Sequence, residues 1–233
     1  MAKDRIALVT GANKGIGYEI ARQLGERGYH VLVGARKPDA GKQAAASLQK
    51  GGMSAGFVEI DVSNRGSIEG AAKNVATQFN HLDVLVNNAG IMEDKNNITE
   101  VPDDLFLRTL TTNTLGPLRV TQAFLSLLTK SPRASIVNMS SGLGQLSDMA
   151  DTYPAYSISK TALNAVTRQF AAALRDKGIP VNSVCPGWVK TDMGGANAPR
   201  TVQQGADTVT WLATEAPRDL TGQFLRDREV IPW

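Results

Sequence analysis

Short apolar runs alternate with amphipathic segments along most of this chain, and that alternation constrains the fold more than any other feature. Residues 5–10 read Arg-Ile-Ala-Leu-Val-Thr, a strand-like run, and the stretch from Gly15 to Arg27 places apolar side chains at helical spacing. Strands that are apolar throughout and alternate with helices indicate a parallel sheet covered on both faces. Further strands are predicted over residues 31–35, 57–60, 84–86, 135–138 and 181–185, and further helices over 40–49, 68–79 and 154–177.

The pattern predicts an α/β fold with a doubly wound parallel sheet of six or seven strands and helices on both faces. Helical signal runs from Pro102 to Leu128, where Gly116-Pro117 predicts a joint between two helices. The length of 233 residues fits a single domain over residues 1–233. A ligand crevice is expected at the carboxyl ends of the strands, from which four polar or reactive side chains emerge: Thr10, Asn87, Ser141 and Cys185.

Composition narrows the class of protein. Hydrophobic residues make up 42% of the chain, too many for a disordered protein, and no apolar run reaches the roughly 18 to 20 residues of a membrane span. The run from Ile6 to Val9 is too short for a signal-peptide core, and Cys185 is the only cysteine, so we expect a soluble cytoplasmic protein. The net charge of +3 with interspersed signs argues against nucleic-acid binding. His30 and His81 lack neighbouring Cys or His, which argues against a metal site.

The turn after the first predicted strand carries three glycines at the spacing of a phosphate-binding loop. It reads Thr10-Gly11-Ala12-Asn13-Lys14-Gly15-Ile16-Gly17. Gly11 permits a tight turn, Gly15 lets a pyrophosphate approach the backbone, and Gly17 lets helix and strand pack closely. A plain glycine-rich turn has the same composition. The position between the first strand and the first helix nevertheless favours dinucleotide binding, because the helix N-terminus offers unpaired N–H donors.

The end of the second predicted strand indicates which dinucleotide is bound. Proteins that bind NAD usually place an acidic residue there to hold the ribose 2′-hydroxyl, whereas this chain has Arg36. Arginine can hold a 2′-phosphate with two hydrogen bonds, and Lys14 adds a second positive charge on the same side. The pattern therefore favours NADP(H). The alternative is that Arg36 is an ordinary solvated charge, and the nearby Asp39 weakens the electrostatic argument.

A tyrosine and a lysine lie four residues apart on the long helix after the fifth strand. Tyr156 and Lys160 share one helical face at this spacing. A cation near a phenol favours the phenolate and lowers the pKa of the tyrosine, which would make Tyr156 a usable acid or base near neutral pH. One such pair can arise by chance in a chain of this composition, so its weight depends on other motifs.

Those other motifs are present. Asn138-Met-Ser-Ser141 ends one predicted strand, Asn87-Asn-Ala-Gly90 ends another, and Thr112-Asn113 lies on the helix that follows. Together with the glycine turn and the Tyr156/Lys160 pair they resemble the classical short-chain dehydrogenase/reductase family, and the likeness runs from Thr10 to Thr191. Within the family the chain is most similar to the carbonyl reductases. The resemblance implies a Rossmann-type domain and reduction of aldehydes or ketones by NADPH.

The resemblance also implies a role for each matching residue. Tyr156 would give a proton to the carbonyl oxygen, Ser141 would hydrogen-bond that oxygen, and Lys160 would hold the ribose hydroxyls. Asn113 would anchor a water in the proton relay. The cofactor would be lined by Gly11, Asn13, Lys14, Gly15, Ile16, Gly17, Arg36, Asp61, Val62, Asn88, Ala89, Gly90, Tyr156, Lys160, Pro186, Gly187, Val189 and Thr191. The soft apolar residues expected at the mouth of the site favour a hydrophobic substrate: Met92, Leu143, Leu146, Met149, Trp188 and Met193.

The chain departs from the most similar carbonyl reductases in one respect. The animal and plant enzymes carry a long insertion between the catalytic serine and tyrosine, whereas only residues 142–155 intervene here. The long helices over residues 103–128 and 154–177 are then free to pack against a second copy, which favours a homodimer or homotetramer. The apolar residues expected on those faces are Leu118, Phe124, Ala162, Val166 and Phe170.

Two other functions compete with a general carbonyl reductase. One is a ketoreductase or hydroxy-dehydrogenase of a defined pathway, acting on a steroid, polyketide or acyl-carrier substrate. An acyl-carrier partner would require a basic docking patch, and none is obvious in the sequence. The other is a non-catalytic protein that senses dinucleotides, because fold alone does not prove activity. The intact set Asn113, Ser141, Tyr156 and Lys160 argues against it.

Overall fold

One mixed sheet of eight strands forms the centre of the molecule in the computed structural model, which describes residues 5–95 and 97–233. The strands are β1 Arg5–Thr10, β2 Tyr29–Ala35, β3 Ala55–Glu59, β4 Val84–Asn87, β5 Ser135–Met139, β6 Val181–Val184, β7 Phe224–Arg226 and β8 Glu229–Val230. Their order across the sheet is β3-β2-β1-β4-β5-β6-β7-β8, and only the β7–β8 pair is antiparallel. The order reverses between β1 and β4, which opens a crevice at their carboxyl ends.

Seven α-helices cover the two faces of this sheet in the described part of the chain. They are α1 Gly15–Glu26, α2 Pro38–Lys50, α3 Arg65–Gln78, α4 Asp103–Leu110, α5 Gly116–Leu128, α6 Pro154–Ala173 and α7 Val202–Thr214. Successive side chains of β1 show why both faces need cover. Val9 packs in a core with Leu24 of α1 and Val209 of α7, whereas Leu8 packs in the opposite core with Phe124 of α5. Buried strands with alternate residues in two cores confirm the doubly wound α/β fold.

The sequence located the first six strands within about two residues of their ends but missed the last two. β7 and β8 have only three and two residues, too few to show a pattern, and β8 makes the sheet mixed rather than wholly parallel. The helix α7 was also missed, although Thr201 and Gln204 form a capping box at its start. A capping box can be recognised in a sequence and predicts the start of a helix. The long helix α6 ends at Ala173, earlier than predicted, and a separate 3₁₀ turn covers residues 175–177.

The expected joint between two helices before residue 128 takes an unexpected form. Residues Thr111–Leu115 form a π-helical turn, so that α4 and α5 are one continuous helical run with a widened turn in the middle. Pro117 lies just beyond it and lacks the N–H that would bond to the carbonyl of Asn113 in a regular α-helix. The chain therefore stays helical and does not turn back on itself.

Two predictions concern residues that the structure does not describe in full. The predicted absence of a signal-peptide core concerns the N-terminus, of which residues 1–4 lie outside the described residues. The polar stretch over residues 93–97 also predicts a loop, and its residue Asn96 lies outside them. Among the described helices, none combines the length and the apolar character that a membrane crossing needs. The described residues also hold no cluster of three or more potential metal ligands.

Candidate active site

The glycine loop between β1 and α1 adopts the conformations that its glycines allow. Gly11 and Gly15 have positive φ angles of +64° and +57°. A Cβ atom on Gly17 would lie 2.4 Å from Nδ2 of Asn88, and one on Gly11 would lie 2.9 Å from Cα of Ala89. The loop is therefore packed against the segment that follows β4, and side chains at these positions would push the two apart.

The N-terminus of α1 is available to an anion. Lys14 occupies the N-cap without a capping hydrogen bond from its side chain, and the first turn contains no acidic residue. The backbone N–H groups after Lys14 therefore keep their donor capacity, and the helix dipole adds positive potential. The side chain of Ile16 packs against the core, so only its backbone faces the loop, while Asn13 is half-buried. This donor set fits the pyrophosphate of a dinucleotide.

The segment after β6 approaches the glycine loop from the other side. Gly187 takes a φ of +75°, and the buried Val189 forms an isolated parallel bridge with Arg200, which holds the segment down. Cγ2 of Thr191 lies 3.4 Å from where a Cβ of Gly15 would be. The structure thus brings the Pro186 to Thr191 segment against the loop, although the two are far apart in sequence.

The predicted cations at the ribose end differ in their surroundings. Arg36 is exposed at the end of β2. Lys14, expected to add a second free charge, pairs its Nζ with Oδ2 of Asp192 at 2.6 Å, and both side chains are largely exposed. At the end of β3, Oδ1 of Asp61 accepts hydrogen bonds from the backbone N–H and hydroxyl of Ser63, with Val62 buried beside it. Asp61 therefore shapes a local turn as well as facing the crevice edge.

The Asn88-Ala89-Gly90 segment links the glycine loop to the catalytic side. Nδ2 of Asn88 donates to the carbonyls of Thr10 and Gly11 at 2.9 and 3.2 Å, and the hydroxyl oxygen of Thr10 accepts from the backbone N–H groups of Asn88 and Ala89. A Cβ on Gly90 would lie 3.1 Å from Oδ1 of Asn113 and 3.5 Å from Nζ of Lys160. Only a residue without a side chain fits between these groups.

The side chain of Asn113 is fully engaged in holding this segment. Its Oδ1 accepts from the N–H of Ile91 and its Nδ2 donates to the carbonyl of Ile91, each at 2.8 Å, and Nδ2 also donates to Oγ of Ser159 at 3.0 Å. The backbone carbonyl of Asn113 faces Pro117 at the i+4 position, which has no N–H. The side chain of Asn113 is therefore committed to Ile91 and Ser159, and its backbone carbonyl receives no hydrogen bond from position 117.

The helix α6 brings Tyr156, Lys160 and Ser141 together. Tyr156 and Lys160 are buried on its first turns. Ser141 precedes the 3₁₀ turn Gly142–Gly144, and that turn is fixed to α6 because the carbonyl of Gly144 accepts from Thr161 and Asn164 at 3.0 and 3.2 Å. Ser141 lies close enough to the Tyr156 hydroxyl to lower its pKa, and its Oγ accepts a hydrogen bond from the backbone N–H of Leu143 at 3.2 Å.

Burial dominates the ionisation of both titratable groups on α6. It raises the pKa of Tyr156 to about 12, although the neighbouring Ser141 hydroxyl lowers that pKa; Cys185 and Asp94 raise it further. Burial also lowers the pKa of Lys160 to about 8. The expectation that Lys160 lowers the pKa of Tyr156 is not met here. Nζ of Lys160 donates to the carbonyl of Met139 at 2.7 Å and lies 5.5 Å from the centre of the Tyr156 ring.

Asp94 is a buried acidic residue at this site that the sequence analysis did not single out. It is only 1% exposed, and its Oδ2 accepts hydrogen bonds from the backbone N–H groups of Ala155 and Tyr156 at 2.8 and 3.3 Å. A sequence signal existed only indirectly. Tyr153-Pro154 begins α6 without a local capping side chain, so a cap had to come from elsewhere in the chain.

Most of the apolar residues expected at the mouth are at the surface and not in the core. Four of the six are exposed: Leu146 by 68%, Trp188 by 58%, Met193 by 44% and Met149 by 37%. Met92 and Leu143 are half-buried. The indole N–H of Trp188 donates to the carbonyl of Gly194 at 2.7 Å, which closes the loop that carries Met193.

Comparisons with known proteins agree with this geometry. Residues 5–201 match the family described as short chain dehydrogenase. The pig (Sus scrofa) protein named carbonyl reductase [NADPH] 1 is 32% identical over 276 aligned positions, which cover 98% of this chain and 94% of that protein. Because 276 positions exceed the 233 residues of this chain, the pig protein has additional residues.

Two solved structures are similar over nearly their whole length. The NADPH-bound carbonyl reductase from chicken fatty liver has a TM-score of 0.89 and 32% identity, covering 99% of this chain and 100% of that one. A variant of the actinorhodin polyketide ketoreductase, with NADPH, has a TM-score of 0.87 and 31% identity, covering 96% and 95% of the two chains.

Proposed function

This chain belongs to the short-chain dehydrogenase family, and we propose that it is an NADPH-dependent reductase of aldehydes and ketones that also works in reverse as an alcohol dehydrogenase. The relatives named as NADPH carbonyl reductases align over nearly all of the chain. The same groups that such chemistry requires converge at the carboxyl edge of the sheet, next to a loop that fits a dinucleotide. A sensing protein would have no need for the Ser141, Tyr156 and Lys160 arrangement.

The cofactor would lie along the crevice between the glycine loop and the segment after β6. The N–H groups after Lys14 would hold its pyrophosphate, and Arg36 would hold the 2′-phosphate that distinguishes NADP(H) from NAD(H). The other residues proposed for the cofactor would line the same crevice through side chains or backbone: Gly11, Asn13, Gly15, Ile16, Gly17, Asp61, Val62, Asn88, Ala89, Gly90, Pro186, Gly187, Val189 and Thr191. NADPH supplies a hydride to the substrate when it is bound.

The chain itself supplies the proton and orients the substrate. The pKa of about 12 keeps the Tyr156 hydroxyl protonated at neutral pH, as a proton donor in reduction must be. Tyr156 would donate to the carbonyl oxygen as negative charge develops there, and Ser141 would donate a second hydrogen bond to the same oxygen. Lys160 would hold the ribose hydroxyls, and water held at Asn113 would return a proton to Tyr156 after the transfer.

The substrate would be a small hydrophobic carbonyl compound. The exposed side chains of Leu146, Trp188 and Met193 offer an apolar mouth without a charged clamp. The likeness to a polyketide ketoreductase keeps a pathway-specific ketoreductase as the second candidate. A panel of aldehydes and ketones assayed with NADPH and with NADH separates the two, because a pathway enzyme would accept one substrate class and reject the rest.

One observation carries the proposal, namely that the buried Tyr156 lies beside both Lys160 and Ser141. Tyr156→Phe removes the proton donor and keeps the ring. We expect turnover to fall at least about a hundredfold, the usual contribution of general acid catalysis, while NADPH binding measured by fluorescence titration persists. Tyr153→Phe, at an exposed tyrosine three residues earlier, is the matched control. Near-normal turnover by Tyr156→Phe would rule out its role as the acid.

Three further statements are part of the same proposal. We propose that residues 1–233 act as one domain, supported by a single sheet that β1 and β8 both join. We propose a cytoplasmic location, supported by a single, buried cysteine that forms no intrachain disulfide. A homodimer or homotetramer is proposed from the helix faces and is argued in the Discussion.

A further inference from the structure

The helix that carries Tyr156 and Lys160 starts without a cap of its own. Tyr153 occupies the N-cap in the left-handed conformation, with φ and ψ of 51° and 56°, and makes no capping bond from its side chain. Pro154 has no N–H, and the first turn contains no acidic residue. The N–H groups of Ala155 and Tyr156 are buried, so they require an acceptor from another part of the chain.

Asp94 supplies that acceptor from the loop after β4. Its Oδ2 lies 2.8 Å from the nitrogen of Ala155 and 3.3 Å from the nitrogen of Tyr156, and the carboxylate is buried with them. The second oxygen, Oδ1, is buried without a hydrogen-bond partner among the described residues. A buried carboxylate with one unpaired oxygen is costly, and the cap that it provides has to offset that cost.

Asp94 is also the last of three anchors on one short strap, which we define as residues 88–94. Asn88 fixes the strap to the glycine loop through Thr10 and Gly11. Ile91 fixes it to the π-helical turn through both polar atoms of Asn113. Asp94 then fixes it to the first turn of α6. The strap therefore connects the cofactor loop directly to the helix that bears the proton donor.

We propose that Asp94 is a positioning residue for proton transfer, which sets the first turn of α6 relative to Ser141 and places a carboxylate 3.3 Å from the backbone nitrogen of Tyr156. This inference rests on the proposed function, because it assigns a role in the same reaction. Removing the two hydrogen bonds would let the first turn of α6 fray. The Tyr156 hydroxyl would then leave the geometry in which it meets the carbonyl oxygen, and small displacements of this kind reduce turnover strongly.

The charge of Asp94 makes a separate contribution to the pH profile. The titratable groups that face Tyr156 are Lys160 on α6, Cys185 after β6 and Asp94 on the strap. Asp94 raises the pKa of Tyr156, so its neutralisation lowers that pKa. Alcohol oxidation requires deprotonated Tyr156 and would therefore start at lower pH in any variant that lacks the charge.

Two substitutions separate the cap from the charge. Asp94→Asn keeps one oxygen that can accept from both N–H groups but removes the charge, whereas Asp94→Ala removes both. The matched control is Glu93→Gln, which makes the same charge change one residue away on an exposed side chain that pairs with Arg108. All are made in the full chain and assayed with NADPH for reduction and with NADP⁺ for oxidation.

We expect Asp94→Ala to lower kcat at least about tenfold, with the Kd for NADPH changed less than about twofold. Asp94→Asn should keep most of kcat. Both variants should shift the rising limb of the pH profile of alcohol oxidation to lower pH. Glu93→Gln should change neither kcat nor the position of this limb. Wild-type kcat in Asp94→Ala, or an unshifted limb in a folded Asp94→Asn, would overturn the inference.

An activity-independent measurement keeps the two proposals distinguishable. Amide hydrogen exchange at Ala155 and Tyr156 should accelerate in Asp94→Ala and stay slow in Asp94→Asn and Glu93→Gln. A wild type that reduces no carbonyl compound would contradict the proposed function, and unchanged exchange at these two amides would contradict the cap whether or not the enzyme is active. If Asp94→Ala does not fold, Asp94→Asn still tests the charge through the pH limb.

Discussion

Burial of the Lys160 ammonium lowers the stability of the folded chain, whereas the proposed reaction requires that ammonium. Burial lowers its pKa from the ordinary 10.5 to about 8, so the folded chain releases a proton that the unfolded chain retains between these pH values. A group that binds more protons when unfolded makes stability rise with pH over that window. Below pH 8 both states are protonated, and the folded state carries the full cost of a buried ammonium, on the order of 3 kcal/mol.

Lys160→Met removes this pH dependence. We expect the free energy of unfolding of the wild type to rise, relative to that of the variant, by on the order of 3 kcal/mol between about pH 7.5 and about pH 10.5. Urea unfolding at both pH values measures the difference. Lys73→Met on α3, where the lysine is exposed, is the control and should show no such change. A constant difference between wild type and Lys160→Met would contradict the assigned cause.

We expect Arg36 to decide the choice of cofactor. Arg36→Asp places a carboxylate where an NAD-binding protein has one, and it replaces attraction to the 2′-phosphate by repulsion. We expect kcat/KM for NADPH to fall at least about tenfold, as loss of a charge-assisted pair would cause, and the preference to invert toward NADH. Lys37→Asp, at the next exposed residue, is the matched control. Equal use of NADH and NADPH by the wild type would contradict this role for Arg36.

The sequence identified the chemistry of single residues better than their orientation. Tyr156, Ser141 and Lys160 could be named because their spacing resembles that of a family. The direction in which the Lys160 ammonium points could not be inferred from spacing. Its hydrogen-bond acceptor, the carbonyl of Met139, lies on β5 and not on α6. Asp94 escaped notice for the same reason, because its partners lie about sixty residues away and loop sequences carry no mark of such long-range contacts.

At the scale of elements, prediction followed the strength of the periodic signal. The first six strands are apolar and flanked by turns, so their order along the chain could be predicted, and the confirmed doubly wound fold follows from it. β7 and β8 owe their existence to pairing with β6 and with each other, a tertiary effect that short sequences do not encode. The π-helical turn Thr111–Leu115 is the opposite case, in which a local signal overstated a break. Gly116-Pro117 predicts a joint between two helices, whereas the chain stays helical through this turn.

At the scale of the whole molecule, the helix faces differ in part from the predicted ones. Phe124 lies fully in the core, so it offers nothing to a partner, whereas Leu118, Ala162, Val166 and Phe170 are half-buried. Two leucines add to the face instead, because Leu107 and Leu115 are exposed by 62% and 38%. The other end of α6 is partly covered within the chain, since the ring of Trp233 stacks on Phe224 and lies under Arg168.

We expect light scattering at micromolar concentration to report at least twice the chain mass of 24.9 kDa. Replacing Leu107 and Leu115 together by Glu should shift the protein toward the monomer, because a charge cannot be buried unpaired in an apolar contact. Ile98→Glu, an exposed apolar residue outside these helices, is the control. A monomeric wild type would contradict the prediction and would show that the half-buried faces of these helices need no cover from a second copy.

The contact between the glycine loop and the segment after β6 has a consequence for how the protein is made. Lys14 and Asp192 meet across 178 residues of chain, so the two sides of the proposed cofactor crevice come from opposite ends of the sequence. During synthesis the early strands can leave the ribosome and begin to pack, yet the crevice has only one wall until the segment from Pro186 to Asp192 follows. Cofactor binding therefore cannot assist the nascent chain and adds its free energy only once the last parallel strands have docked.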